Sequence, residues 1–309
     1  MRGKAMMVLV SVAMATVSIP AAAAPAADGP LPTVSPTPQD IQRAGPDLPL
    51  GDRVRVVVSD DTDPAALDLL ETTLREHGVR RIDRSGGAPV TVHLGPADRP
   101  DVVAALGNTP VPEQAEGNAL RVSRRTVGIG GTDAAGQYYG VQTLRQLFVR
   151  HGRGWHLAGA SVSDYPAMPL RGTIEGFYGS PWTHAERLDQ LAFYGDIKAN
   201  TYIYAPKDDP YHRDRWREPY PADKLAELGE LVDEAAAHHV RFTYALSPGT
   251  SICYSSAEDR AALTAKLRAM YDLGARAFSI PLALHLHTRL AATLERRDAV
   301  PKSHAMVSC

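Results

Sequence analysis

Cys253 and Cys309 are the only two cysteines in 309 residues. A single pair builds no disulfide framework of the kind that staples small secreted folds. An excess of one charge is also lacking: 33 Lys and Arg stand against 35 Asp and Glu, a formal net charge of −2. A chain without a basic surplus is a poor binder of nucleic acid. The apolar stretch at the start, Ala5–Ile19, has 15 residues, short of the ~20 that a membrane span needs. A dinucleotide fingerprint is missing as well. Gly128-Ile129-Gly130-Gly131 leads into a helix, but the spacing is not G-x-G-x-x-G, and no acidic residue sits about 20 positions on after a second strand. The favoured reading is a tight strand-to-helix turn with Asp133 as the helix cap.

What is present starts with an address. Arg2 and Lys4 precede the apolar stretch, and small residues follow around Ala21 to Ala27. That order is a secretory signal over residues 1–27 rather than an anchor, and it predicts a secreted, extracellular protein. No cysteine stands near the cleavage choices, which argues against a lipoprotein. Removing residues 1–27 takes away two positive charges and no negative ones, so −2 becomes −4. Residues 28–49 are rich in proline and predict an extended, mobile linker.

A small α/β domain is expected over residues 50–165. Val54–Val58 and Val90–Leu94 read as buried strands, and Pro64–His77 as a helix with Ala66, Leu67, Leu69, Leu70 and Leu74 inward. Asp101–Leu106 reads as a short helix, Ala119–Val122 and Thr126–Ile129 as a hairpin, and Ala134–Val149 as a second long helix. Trp155–Tyr165 then leads directly into Arg171.

From Arg171 the rhythm changes to strand, loop, helix, strand, the repeating unit of a parallel sheet or barrel. Gly172–Ile174, Thr201–Tyr204, Arg241–Leu246 and Ala275–Ile280 are the expected strands. The helices between them follow Thr183, Ala222 and Ala257. Each strand runs into a loop dense in Gly, Pro, aromatic and charged residues. At the carboxyl end of barrel strands such groups face an active site. Glu175, Gly176, Tyr178, Lys207, Asp208 and Asp209 all fall at these ends.

The segments EGFYGSPWTHAER, NTYIYAPKDDPYHRDRWREPYP and ALSPG resemble the first three strand ends of glycoside hydrolase family 84. These are β-N-acetylglucosaminidases of the O-GlcNAcase and bacterial hyaluronidase type. The resemblance covers residues 171–280, and residues 50–165 resemble the small domain that precedes the barrel in families 84 and 20. It implies a small α/β hexosaminidase-type N-terminal domain followed by the first half of a (β/α)8 TIM barrel. The implied ligands are N-acetylglucosamine-containing glycans, with no cofactor, no metal, no nucleic acid and no membrane once the signal is cleaved. Gly176 would offer its carbonyl to sugar hydroxyls, Tyr178 would line the acetamido pocket, and Lys207 would bond the ring hydroxyls. Glycine lets backbone approach a sugar, and an ammonium donates several hydrogen bonds.

Hydrolysis in this family is substrate-assisted and retaining. The sugar's acetamido oxygen attacks, one Asp polarises the amide and the adjacent Asp is the general acid. The pair is expected after the fourth strand, where this chain has Ala283 and Leu284. Neither donates a proton. Residues 283–309 resemble nothing in the family, as after a shifted reading frame near Leu282. His285 and His287 in that tail lack a carboxylate or thiol partner at metal-ligand spacing. Asp208-Asp209 is the adjacent carboxylate pair at a strand end in the barrel segment. Lys207 alongside would keep both ionised, and Arg213 or Arg215 is an expected partner, so the pair reads as loop structure. Glu175 likewise reads as a structural carboxylate.

Three readings follow: a secreted family 84 hydrolase without catalytic power, a glycan-binding protein using Gly176, Tyr178 and Lys207, and a scaffold carried by residues 50–165. Half a barrel leaves its inner face and two edges open, and is expected to be unstable alone unless two copies pair.

Overall fold

The computed structural model describes residues 29–281, and from Leu31 onward the chain packs as one unit. Its first part runs β1 (Asp40–Arg43), β2 (Leu48–Pro49), β3 (Arg53–Val57), α1 (Pro64–Glu76), β4 (Arg81–Asp83), β5 (Val90–Pro96) and α2 (Pro100–Leu106). It continues with β6 (Asn118–Val122), β7 (Thr126–Gly131), α3 (Ala134–Arg145), β8 (Phe148–His151), β9 (Gly154–Leu157) and β10 (Ala160–Asp164).

A seven-stranded sheet has the order β1-β10-β6-β7-β5-β3-β4. Strands alternate their side chains between faces, and the core shows it. Leu120 packs with Leu70 and Leu74 of α1 and Tyr138 and Leu144 of α3, while its neighbour Ala119 meets Val102 and Leu106 of α2. The glycines entering α3 serve this packing. A Cβ on Gly131 would stand 2.1 Å from the Gln137 nitrogen, and one on Gly136 would stand 2.1 Å from the Gly117 carbonyl. Asp133 accepts from Gly136 N at 2.8 Å. The helix start is closed by protein atoms, as the tight-turn reading requires.

Two expectations need correction. Residues 31–49 are not a mobile linker: β1 pairs antiparallel with β10, β2 pairs with β9, and Val34 and Leu48 are buried. Both strands lie at sheet edges, where proline's missing donor costs no ladder bond. The long helix expected to reach Val149 stops at Arg145. Phe148 and Val149 favour strand, and β8 returns through Gly152, at φ 59°, to pair with β9.

The second part runs β11 (Gly172–Glu175), α4 (His184–Asp196), β12 (Thr201–Tyr204), α5 (Ala222–Ala237), β13 (Arg241–Ala245), α6 (Ala257–Asp272) and β14 (Ala277–Ser279). The strands lie side by side in chain order, all parallel. This is a partial (β/α) barrel behind a small α/β domain. Thr183 and Glu186 close a reciprocal capping box that starts α4. Among the described residues no helix is long and apolar enough to cross a membrane.

Polar contacts join the two parts. Lys198 is 6% exposed and donates to Asp164 and Thr143, each at 2.8 Å. Glu116 accepts from Arg171 at 2.5 Å and from Asn200 at 2.7 Å. His239 lies 2.9 Å from Asp63, the residue that caps α1. Glu116, Lys198 and His239 have φ of 61°, 57° and 54°. Each left-handed backbone, costly for a residue with a side chain, sits at this junction.

Candidate active site

Register decides which strand-end groups face the inside of the curved sheet. Ile174, Ile203, Thr243 and Ala277 stand in one row, and Glu175, Tyr204, Tyr244 and Phe278 in the next, on the opposite face. The second row faces the helices: Tyr204 and Tyr244 join a core with Leu191 of α4 and Leu228 and Leu231 of α5. Ile174, on the inner face, is 61% exposed.

Glu175 therefore points away from the inner face. It is 1% exposed, accepts three bonds from Arg187 of α4 at 2.8–3.1 Å, and accepts another from the Tyr202 hydroxyl. Burial works against the Arg187 charge, but Glu175 outweighs it and raises the guanidinium pKa. This is a closed ion pair, in keeping with a structural carboxylate.

Asp209 is turned the same way. It accepts from the hydroxyls of Tyr204 at 2.9 Å and Tyr220 at 2.7 Å, and from Tyr211 N at 2.8 Å as it opens a 3-10 turn. The expected partners Arg213 and Arg215 are not the ones it takes. Arg215 instead bonds Glu218, because two tyrosine hydroxyls brought by β12 and the approach to α5 reach Asp209 first. Asp208 is exposed and lies 3.7 Å from Arg187. Burial, reinforced by neighbouring ionisable groups, pushes Tyr204 and Tyr220 far above the ordinary phenol range, so both remain donors. A cavity of about 120 Å³ near this cluster, lined by Arg187, Asp208, Asp209 and Tyr220, does not include Gly176, Tyr178 or Lys207 in its wall.

Those three residues stand at the strand ends. Gly176 follows β11 and donates to Ile174 O at 2.9 Å. A Cβ there would find only ordinary contacts, the nearest Ile174 Cγ2 at 3.5 Å. Tyr178 is 87% exposed, and the Lys207 ammonium lies 5.2 Å from its ring centroid. This is cation–π distance. Partial burial, helped by Arg213, lowers the Lys207 pKa. An exposed ring with a lysine ammonium beside it offers an apolar platform and several hydrogen-bond donors. The positions Ala283 and Leu284, where the acid pair is expected, lie outside the described residues, as do His285 and His287.

Sequence reasoning missed the residues that hold these loops. Arg187, Tyr220, His212 and Lys266 reach their partners across 12, 11, 33 and 55 positions, and no local pattern marks such pairings. Tyr202 and Tyr204 carried a signal, since two hydroxyls at strand spacing must share a face.

Known proteins resemble the chain over both parts. A β-N-acetylglucosaminidase family model matches residues 171–305; it runs beyond Ile280, where the resemblance was expected to end, and takes in most of the 283–309 tail expected to resemble nothing in the family. A model of the second domain of glycosyl hydrolase family 20 matches residues 31–165. Protein O-GlcNAcase of Rattus norvegicus is 36% identical over 151 residues, 49% of this chain and 16% of that protein. Its Mus musculus counterpart is 36% identical over 139 residues, 45% and 15% of the two chains. The solved structure of CpGH84B superposes with a TM-score of 0.73 at 34% identity, covering 85% of this chain and 46% of that one. That of CpGH84D gives 0.73 at 29% identity, covering 82% and 44%. The chain thus spans about one-sixth of the curated relatives and under half of the solved ones. With both parts matched in order, the chain is similar to glycoside hydrolase family 84, glycosidases of the N-acetylglucosaminidase type, of whose length it covers a portion.

Proposed function

We propose that this chain is a secreted β-N-acetylglucosaminidase by descent that binds an N-acetylglucosamine unit of a glycan and does not cleave it. The observation that carries the binding half is the Lys207 ammonium 5.2 Å from the Tyr178 ring at the carboxyl edge of a parallel sheet, beside Gly176. Barrel enzymes build their sites at that edge. Proton supply carries the other half. Glycoside cleavage needs an acid at the leaving oxygen, Ala283 and Leu284 stand where the family's Asp pair is expected, and Glu175 and Asp209 are engaged with the helix side. Secretion rests on the Arg2 and Lys4, apolar, small-residue order of the first 27 positions.

The test uses protein recovered from the culture medium, with its amino terminus sequenced. It is titrated with N-acetylglucosamine in a calorimeter and assayed on an aryl N-acetylglucosaminide. The expected result is a chain that begins near Asp28, binds the sugar and releases no aryl alcohol. Lys207→Ala should weaken binding about 10- to 100-fold, the worth of a hydrogen bond to a charged group. Turnover at an enzyme's pace sinks the non-catalytic reading. Absence of heat sinks the binding one, and protein retained in the cell sinks secretion.

A further inference from the structure

His212 stands between the loops that follow two neighbouring strands. Its side chain is buried, the residue 1% exposed. Nε2 lies 2.6 Å from the carbonyl of Pro206, the residue before Lys207, and Nδ1 lies 3.0 Å from the carbonyl of Ala245 at the end of β13. Its own carbonyl accepts from Ser247 N at 2.7 Å. One residue therefore fastens the loop leaving β12 to the loop leaving β13.

We propose that His212 is the positioning residue of the sugar cradle: by holding the Pro206 carbonyl it fixes where the Lys207 ammonium stands. The inference rests on reading Lys207 as a sugar contact. The residues between Pro206 and His212 are held from both ends. Asp209 is bound by the Tyr204 and Tyr220 hydroxyls, and the Tyr211 carbonyl accepts from Lys266 Nζ at 2.9 Å. Within this span the Lys207 ammonium reaches to the Tyr178 ring. A side chain with four rotatable bonds finds one place only if its backbone is fixed, and a ligand gains affinity from that fixed place.

Both ring nitrogens face carbonyl acceptors, and a neutral imidazole carries one N–H. Burial lowers the His212 pKa, against the pull of the Pro206 and Ala245 carbonyls and of Asp209, and Arg213 lowers it further. The neutral ring thus has one proton to give, and it is assigned to Nε2, on the shorter contact, to Pro206. A glutamine offers an amide nitrogen at about the reach of Nε2 and can make the same donation; a leucine fills the space and donates nothing.

The experiment compares wild type, His212→Gln and His212→Leu as full chains, by N-acetylglucosamine calorimetry and by hydrogen exchange of the amides of residues 205–213. His212→Leu is expected to weaken the sugar up to about tenfold, the net worth of one hydrogen bond, and to speed exchange in that span while the strands keep their protection. His212→Gln is expected to restore both, which a plain packing role would not allow. Equal affinity and equal exchange in wild type and His212→Leu overturn the proposal. A wild type that gives no heat with the sugar overturns the binding reading instead. Exchange then decides for His212, with loosening confined to 205–213 in support and no loosening against. Should His212→Leu fail to fold, His212→Gln decides: wild-type protection of the span supports the tie to Pro206, and a loosened span overturns it.

Discussion

Glu175 and Lys207 sit at neighbouring strand ends and do opposite things. The carboxylate is sealed against Arg187 and Tyr202, and the ammonium leans into solvent over Tyr178. The sealed pair matters to the fold, because removing one partner leaves the other charge buried and unmatched. Arg187→Ala is expected to cost about 3–5 kcal/mol of unfolding free energy, measured by denaturant titration. Lys207→Ala, at a half-buried surface position, is expected to leave the midpoint nearly unchanged. An Arg187→Ala protein as stable as wild type would show that Glu175 finds water or a proton without penalty. At this scale residue types and spacing are legible in the sequence; the direction in which each carboxylate points came from strand register.

Elements form where local signals agree. Thr183 begins α4 as read from sequence, and the structure adds Glu186 reaching back to the Thr183 nitrogen at 2.7 Å. Because this box orients the helix that delivers Arg187 to Glu175, Thr183→Ala is expected to cost about 0.5–2 kcal/mol. Thermal melting followed by circular dichroism checks it, and a Thr183→Ser control should retain most of the stability. The helices over Pro64–Glu76, Ala222–Ala237 and Ala257–Asp272 agree with their apolar periodicity to within a residue or two. The failures were edge strands. Asp40–Arg43 and Leu48–Pro49 are short, polar or proline-bearing, and their identity comes from β10 and β9, which supply the partners.

Across the whole molecule, the partial barrel leans on the small domain through buried polar contacts. Burial lowers the Lys198 pKa, with Asp164 opposing that shift across 2.8 Å. Lys198→Met strands Asp164 and is expected to cost about 3–5 kcal/mol. Adding Asp164→Leu should recover part of that loss, since no lone charge then stays inside. Chemical denaturation of both variants reads this directly, and equal stability of single and double variants would count against a stranded Asp164 charge. An isolated half barrel is expected to be unstable because its inner face and edges are open. Here its helix side and strand starts are covered by Asp164, Glu116 and Tyr138, a contribution that residues 171–281 cannot supply themselves.

Sequence alone determined the order of elements from Arg171 on, the parallel sheet and the family resemblance, since these follow from apolar spacing, turn residues and long motifs that neighbours in the chain specify. It also determined that hydrocarbon stands at 283 and 284. Only the tertiary structure decided that Glu175 and Asp209 face the helices, that Tyr178 and Lys207 meet, and that His212 binds two loops together. Each of those facts depends on which strands are neighbours and in what register, and a chain read one residue after another contains neither quantity.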